Sequence, residues 1–194
     1  MNTEKRRMST KTLVLGAVLT AMVVLLQMMG SFIHFGQFSI SLVLIPIVIG
    51  AGTCGVGVAA WLGLMFGIVV LASGDAAAFL TVDVLGTVVT VLAKGILCGL
   101  LSGLAYKLLE NVNRYLAVAV AAVVCPVVNT GVFLLGCLIF FMDTIAGWGQ
   151  AAGFADVGAY MILGLVGANF LFELGTNIVL SPVVVRLLNI RKKA

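Results

Sequence analysis

Two ionisable side chains stand deep inside apolar runs of this 194-residue chain, Lys94 and Glu173. A charge in hydrocarbon costs about 2.5–3.5 kcal/mol on insertion scales, which makes each a candidate for function. Asn169, Glu173 and Asn177 recur every four residues and so share one face of a helix. Asn129 lies in the middle of another apolar run. At about 1.5 Å per residue, Lys94, Asn129 and Asn169 reach similar depths, with Glu173 somewhat deeper. An ammonium beside amides suits a carboxylate, hydroxyls or an amide of a small ligand. The same residues also read as a structural Lys94–Glu173 pair with asparagines that hold helices together, or as a proton relay. These readings overlap, because a ligand can rearrange such a pair. His34 and Gln37 stand between Phe32, Phe35 and Phe38, either as a lid that touches ligand or as a plain aromatic-anchored loop. One histidine without partners is no metal site. No HExxH, nucleophile elbow or Asp-rich metal motif is present, so neither a catalytic residue nor a cofactor is expected.

What must position these groups is a membrane bundle. The chain is 62% hydrophobic and 9% charged, with mean hydropathy +1.26, where a soluble domain is about a quarter charged. Continuous apolar runs point to helices rather than a barrel. The expectation is an all-α membrane protein, one domain over 1–194, with six transmembrane helices at about 12–30, 38–51, 56–72, 84–108, 115–141 and 157–188. Pro46 suggests a kink or a partial crossing in the second. The stretch 52–55 reads as a tight turn, 76–83 as a loop or short surface helix, and 142–156 as a Gly- and Ala-rich loop. The first run is too long for a signal-peptide core and is read as retained.

Charge sets the orientation. With both termini cytoplasmic, the inner segments hold Lys5, Arg6, Arg7, Lys11, Lys107, Arg114, Arg186, Arg191, Lys192 and Lys193. The outer loops hold Asp75, Asp83, Asp143 and Asp156 and no Lys or Arg, which satisfies the positive-inside rule. Asp75 and Asp83 then read as solvated loop charges. Tyr106, Tyr115, Tyr160 and Trp148 are placed for interfacial belts. The basic flanks meet anionic lipid, not nucleic acid. Cys54, Cys98, Cys125 and Cys137 form no CxxC pair and read as small buried hydrophobes. Small residues recur at Gly63/Gly67, at Gly95/Gly99/Gly103, and at Gly16, Ala17, Thr20 and Ala21 in the first helix; such faces let helices approach closely.

A chain of this length with six helices, both termini inside and Ala17-x-x-x-Ala21 in the first helix resembles the S component of energy-coupling factor (ECF) transporters. The block Ser41–Leu71 looks like the second and third helices of the pantothenate/riboflavin/folate-type branch, and Cys125–Gly136 (CPVVNTGVFLLG) like its fifth. The resemblance implies a vitamin-capture subunit of a bacterial cell membrane. Gly16, Ala17, Thr20 and Ala21 would dock a transmembrane coupling subunit, and two cytoplasmic ATPase subunits would drive the cycle. It also implies substrate held toward the outer side by the last three helices and capped by the loops after the first, third and fifth. No G-x-x-x-x-G-K-[ST] sequence occurs here, so energy must come from partners. Lys94, Asn129, Asn169, Glu173, His34 and Gln37 are the expected substrate residues, with pantothenate first and riboflavin and folate open. The rivals are an autonomous secondary transporter that couples Lys94 and Glu173 to protons, and a membrane enzyme of lipid metabolism.

Overall fold

The structure, a computed structural model, describes residues 9–31, 34–35, 38–39 and 42–193. Helix α1 (Thr10–Gly30) starts where the Ser9 side chain accepts the Thr12 amide at 3.2 Å, an N-cap that satisfies one orphan donor. Its buried residues Gly16, Leu19, Val23, Gln27 and Gly30 form a single stripe. A two-residue antiparallel ladder follows, β1 (His34–Phe35) on β2 (Phe38–Ser39).

The second expected helix is corrected at both ends. Phe38 and Ser39 belong to the ladder, and α2 runs from Leu44 to Cys54. Pro46 falls in its first turn, where the missing N–H has no intrahelical acceptor, so it starts the helix instead of kinking it. Residues 52–54 continue the helix, and the turn narrows to Gly55, whose φ of 92° favours glycine. Eleven residues at about 1.5 Å reach about half of a roughly 30 Å hydrocarbon core.

Helix α3 (Val56–Ser73) ends on Gly74 at φ 89°, and the short α4 (Ala77–Leu80) follows. Helices α5 (Val84–Leu109) and α6 (Arg114–Phe140) are joined by a turn in which Asn113 caps α6 through the Tyr115 and Leu116 amides. The expected loop at 142–156 is mostly helix α7 (Met142–Ala151), because Ile145 and Gly149 bury one side of it, Gly149 against the Tyr160 ring. The last span opens with α8 (Val157–Ala159), runs as a π-helix over Tyr160–Gly167, and continues as α9 (Ala168–Lys193).

Among the described residues, five helical stretches are long and apolar enough to cross a membrane: Thr10–Gly30, Val56–Ser73, Val84–Leu109, Arg114–Phe140 and Val157–Asn189. Leu44–Cys54 is the shorter sixth apolar helix. The glycine faces meet one another. A methyl on Gly63 would strike the Gly95 carbonyl, one on Gly95 the Gly63 carbonyl, and one on Gly99 the Ala59 carbonyl. Antiparallel α3 and α5 therefore touch backbone to backbone. Helices α6 and α9 are antiparallel as well, with Arg114 donating to Asn189 Oδ1 at 3.1 Å and Asn129 meeting Glu173. This register gathers Lys11, Lys107, Arg114 and Arg186 at one end of the bundle and Asp75, Asp83, Asp143 and Asp156 at the other. Two belt residues are corrected: Tyr106 and Tyr160 are buried, Tyr106 beside Gly52 and Tyr160 beside Phe154 and Gly164. The four cysteines are free, three of them buried.

Candidate functional site

Residues of three separate spans, most of them polar, converge on one chamber toward the acidic end. Helix α5 supplies Thr87, Thr90 and Lys94, α6 supplies Phe133, and α9 supplies Asn169 and Glu173. Its volume is about 50 Å³. A smaller cavity of about 20 Å³ adjoins it, lined by Lys94, Asn129, Thr130, Phe133, Val166 and Asn169. Four residues expected from spacing and depth alone are thus brought together.

Lys94 holds its ammonium over the rings of Phe66 and Phe133, each 5.4 Å to the centroid. Such contacts are worth about 0.5–2 kcal/mol and leave the N–H donors available to a ligand. Glu173 is fully buried. Its Oε1 accepts from Asn169 Nδ2 at 3.0 Å and its Oε2 from Asn129 Nδ2 at 3.3 Å. Asn177, one turn on, donates to the Glu173 carbonyl at 2.8 Å. The four-residue spacing of Asn169, Glu173 and Asn177 is therefore a hydrogen-bonded ladder along one face of α9.

The mouth of the chamber draws on the segment after α3, one of the caps that the resemblance implies, and on Gln27 of α1. Gln27, buried in α1, donates to Asp75 Oδ2 at 2.6 Å, and the Ser73 hydroxyl donates to the same oxygen at 3.0 Å. Asp75 is thus no free loop charge but a tie between α1 and the segment after α3. Phe79 of α4 lines the chamber, edge-on to Phe133, Phe141 and Trp148 with centroids 5.5, 5.1 and 5.3 Å away. Gln27 had a signal, a lone amide in an apolar run; Thr90 and Phe79 had none beyond their neighbours in space. The backbone of His34 pairs with Ser39, while Gln37 lies outside the described residues.

A second feature lies between α1 and α3. Gly16, Ala17 and Thr20 of α1, with Gly57 and Trp61 of α3, line an apolar groove of about 780 Å³ on the surface. Ala17 and Ala21 are exposed, whereas Gly16 is buried against Val58. Thr20 accepts from Trp61 Nε1 at 3.3 Å and donates to the Gly16 carbonyl at 2.8 Å. Among the described residues no group of His, Cys, Asp and Glu could hold a metal ion.

No curated protein and no solved structure matches the chain. A family model does, described as ECF transporter, substrate-specific component, over residues 11–185, a span that takes in both the chamber and the groove. A membrane bundle with a polar chamber is consistent with that match, and the chain belongs to the substrate-specific component family of ECF transporters.

Proposed function

We propose that this subunit captures a small water-soluble vitamin or related metabolite at the Lys94 chamber, with pantothenate the first choice. The observation that carries the reading is the Lys94 ammonium, set over two rings and beside Asn129, Asn169 and Glu173 in an otherwise apolar bundle. A carboxylate belongs at Lys94, and hydroxyl or amide groups belong at the asparagines. A chamber of about 50 Å³ is well below the roughly 300–1,000 Å³ of a ligand pocket. Ligand entry therefore requires Phe79 and its segment to swing aside, with Gly74 as the pivot and the Gln27–Asp75 bond as the tie that opens.

The rest of the assignment follows the family and the charge pattern. The subunit spans a bacterial cell membrane with six helices, α2 as a partial crossing, and both termini in the cytoplasm. The acidic end faces outward, so the chamber opens toward the substrate. Ala17 and Ala21, exposed beside the α1–α3 groove, dock a transmembrane coupling subunit; Thr20 and Gly16 shape its floor. Two cytoplasmic ATPase subunits supply the energy. The deciding experiment is equilibrium binding of radiolabelled pantothenate, riboflavin and folate to the purified full chain in lipid nanodiscs. Saturable binding of pantothenate alone is expected, and failure of all three would overturn the reading.

A further inference from the structure

An asparagine amide offers a ligand either a donor or an acceptor, and something must decide which. At this site the decision lies with Glu173. A carboxylate only accepts hydrogen bonds. With Oε1 receiving Asn169 Nδ2 and Oε2 receiving Asn129 Nδ2, both amides have their N–H₂ ends turned to Glu173. Glu173 is fully buried, so water does not compete for those donors. The opposite end of each amide is its carbonyl, and Asn129 Oδ1 and Asn169 Oδ1 are both buried without a hydrogen-bond partner. Both asparagines line the cavity beside Lys94. Thr90 Oγ1 and Gln27 Oε1, on residues of the larger chamber, are buried and unpartnered in the same way.

We propose that Glu173 is a positioning residue that fixes Asn129 and Asn169 as acceptors, so that the site selects a small anion carrying several O–H or N–H donors. This rests on the chamber being the substrate site. The anionic group meets Lys94, and the donors meet the two asparagine carbonyls. A ligand that brought only acceptors would set acceptor against acceptor in a buried site, leaving them unsatisfied. Pantothenate fits the pattern through its carboxylate, its amide N–H and its two hydroxyls. Glu173 touches no ligand in this scheme; it acts through the amides.

The test compares pantothenate with N-(3,3-dimethylbutanoyl)-β-alanine, the same molecule without its hydroxyls, on the full chain in nanodiscs. A site built to bond a hydroxyl rejects the analogue lacking it strongly, so the wild type is expected to prefer pantothenate by about 100-fold or more. Glu173→Gln keeps the volume but adds a donor that turns one amide round, and the preference should shrink to below about tenfold. Lys94→Met should weaken both ligands equally and leave the preference intact. A Glu173→Gln variant with the wild-type preference would overturn the proposal. A ligand-free arm separates this from the choice of vitamin. Asn169→Asp sets carboxylate against carboxylate and should lower Tm by about 5 °C or more. Glu173→Gln combined with Asn169→Asp reverses that hydrogen bond, keeps an acceptor for Asn129, and should regain most of the loss. A double variant no more stable than Asn169→Asp alone would refute the assigned orientation. Wild type that ignores pantothenate would count against that vitamin, and the swap would still decide the orientation.

Discussion

Helix α5 has two faces that answer to opposite demands. Toward α3 it presents Gly95 and Gly99, and the two backbones meet with no side chain between them. Toward the chamber it presents Thr87, Thr90 and Lys94, beside polar atoms that lack partners. In a bilayer the first kind of contact is what holds helices together, since lipid is as apolar as leucine. The second kind costs stability, about 1–3 kcal/mol for each buried polar group left unpaired. A seam with no room to adjust thus carries a chamber in which buried polar atoms lack partners. If the chamber is the proposed substrate site, the seam is frame and the chamber is function, and substitutions on the two faces should fail differently.

The largest effect belongs to the seam. Gly63→Leu would drive a side chain into the Gly95 carbonyl, a backbone atom that cannot yield. Overpacking on this scale costs about 1–3 kcal/mol or more, and here it parts two spans. Loss of the monodisperse peak on size exclusion in detergent is expected. Gly131→Ala is the control, because a Cβ there meets nothing within 4 Å. Equal behaviour of the two variants would mean that the seam is not the frame.

How far each face could be read from sequence follows from the same contrast. The glycines at 63, 67, 95, 99 and 103 announce a close contact, but residue type alone does not name the partner helix. Lys94, Asn129, Asn169 and Glu173 stand out because any polar group does in an apolar run. Asp75 reads as a loop charge, and its hydrogen bond from Gln27 comes from 48 positions away. The bounds of α2 are not legible, because a proline in a first turn and a proline at a kink look alike without knowing where the helix begins. Helix α7 is not legible in the sequence, because its buried side is only Ile145 and Gly149, short of any clear period. Gly16 looked as available as Ala17, although one turns toward α3 and the other outward.

The groove is a third surface and should separate from both. Ala17→Trp fills an exposed position beside Thr20 and Trp61 without touching the chamber. Co-purification with a coupling subunit should be abolished while pantothenate binding by the isolated subunit stays at the wild-type level. An intact complex would remove α1 from the docking surface.

Within the chamber the larger effect is at Lys94. Lys94→Met keeps much of the side-chain length between Phe66 and Phe133 but removes every donor. Hydrogen bonds to charged groups are worth about 1.5–3 kcal/mol, so pantothenate affinity should fall roughly 10- to 100-fold while the size-exclusion profile is kept. Unchanged affinity would take the carboxylate away from Lys94.

The smallest effect is expected at the mouth, where frame and function meet. Gln27 belongs to the buried stripe of α1, yet its amide ties Asp75 across the chamber. Gln27→Leu preserves the packing and removes the tie. The Ser73 hydroxyl still donates to Asp75, and the carboxylate is only half-buried, so water can replace part of what is lost. A loss of about 1 kcal/mol is expected, and it should fall on the closed state. Ligand release, followed by chasing bound radiolabelled pantothenate with unlabelled ligand, should quicken about fivefold, with association little changed. The direction matters more than the size. Slower association with unchanged release would make Gln27 part of the entry path, and no change in either rate would make the Gln27–Asp75 bond part of the frame, moving the border between the two regions outward to α1.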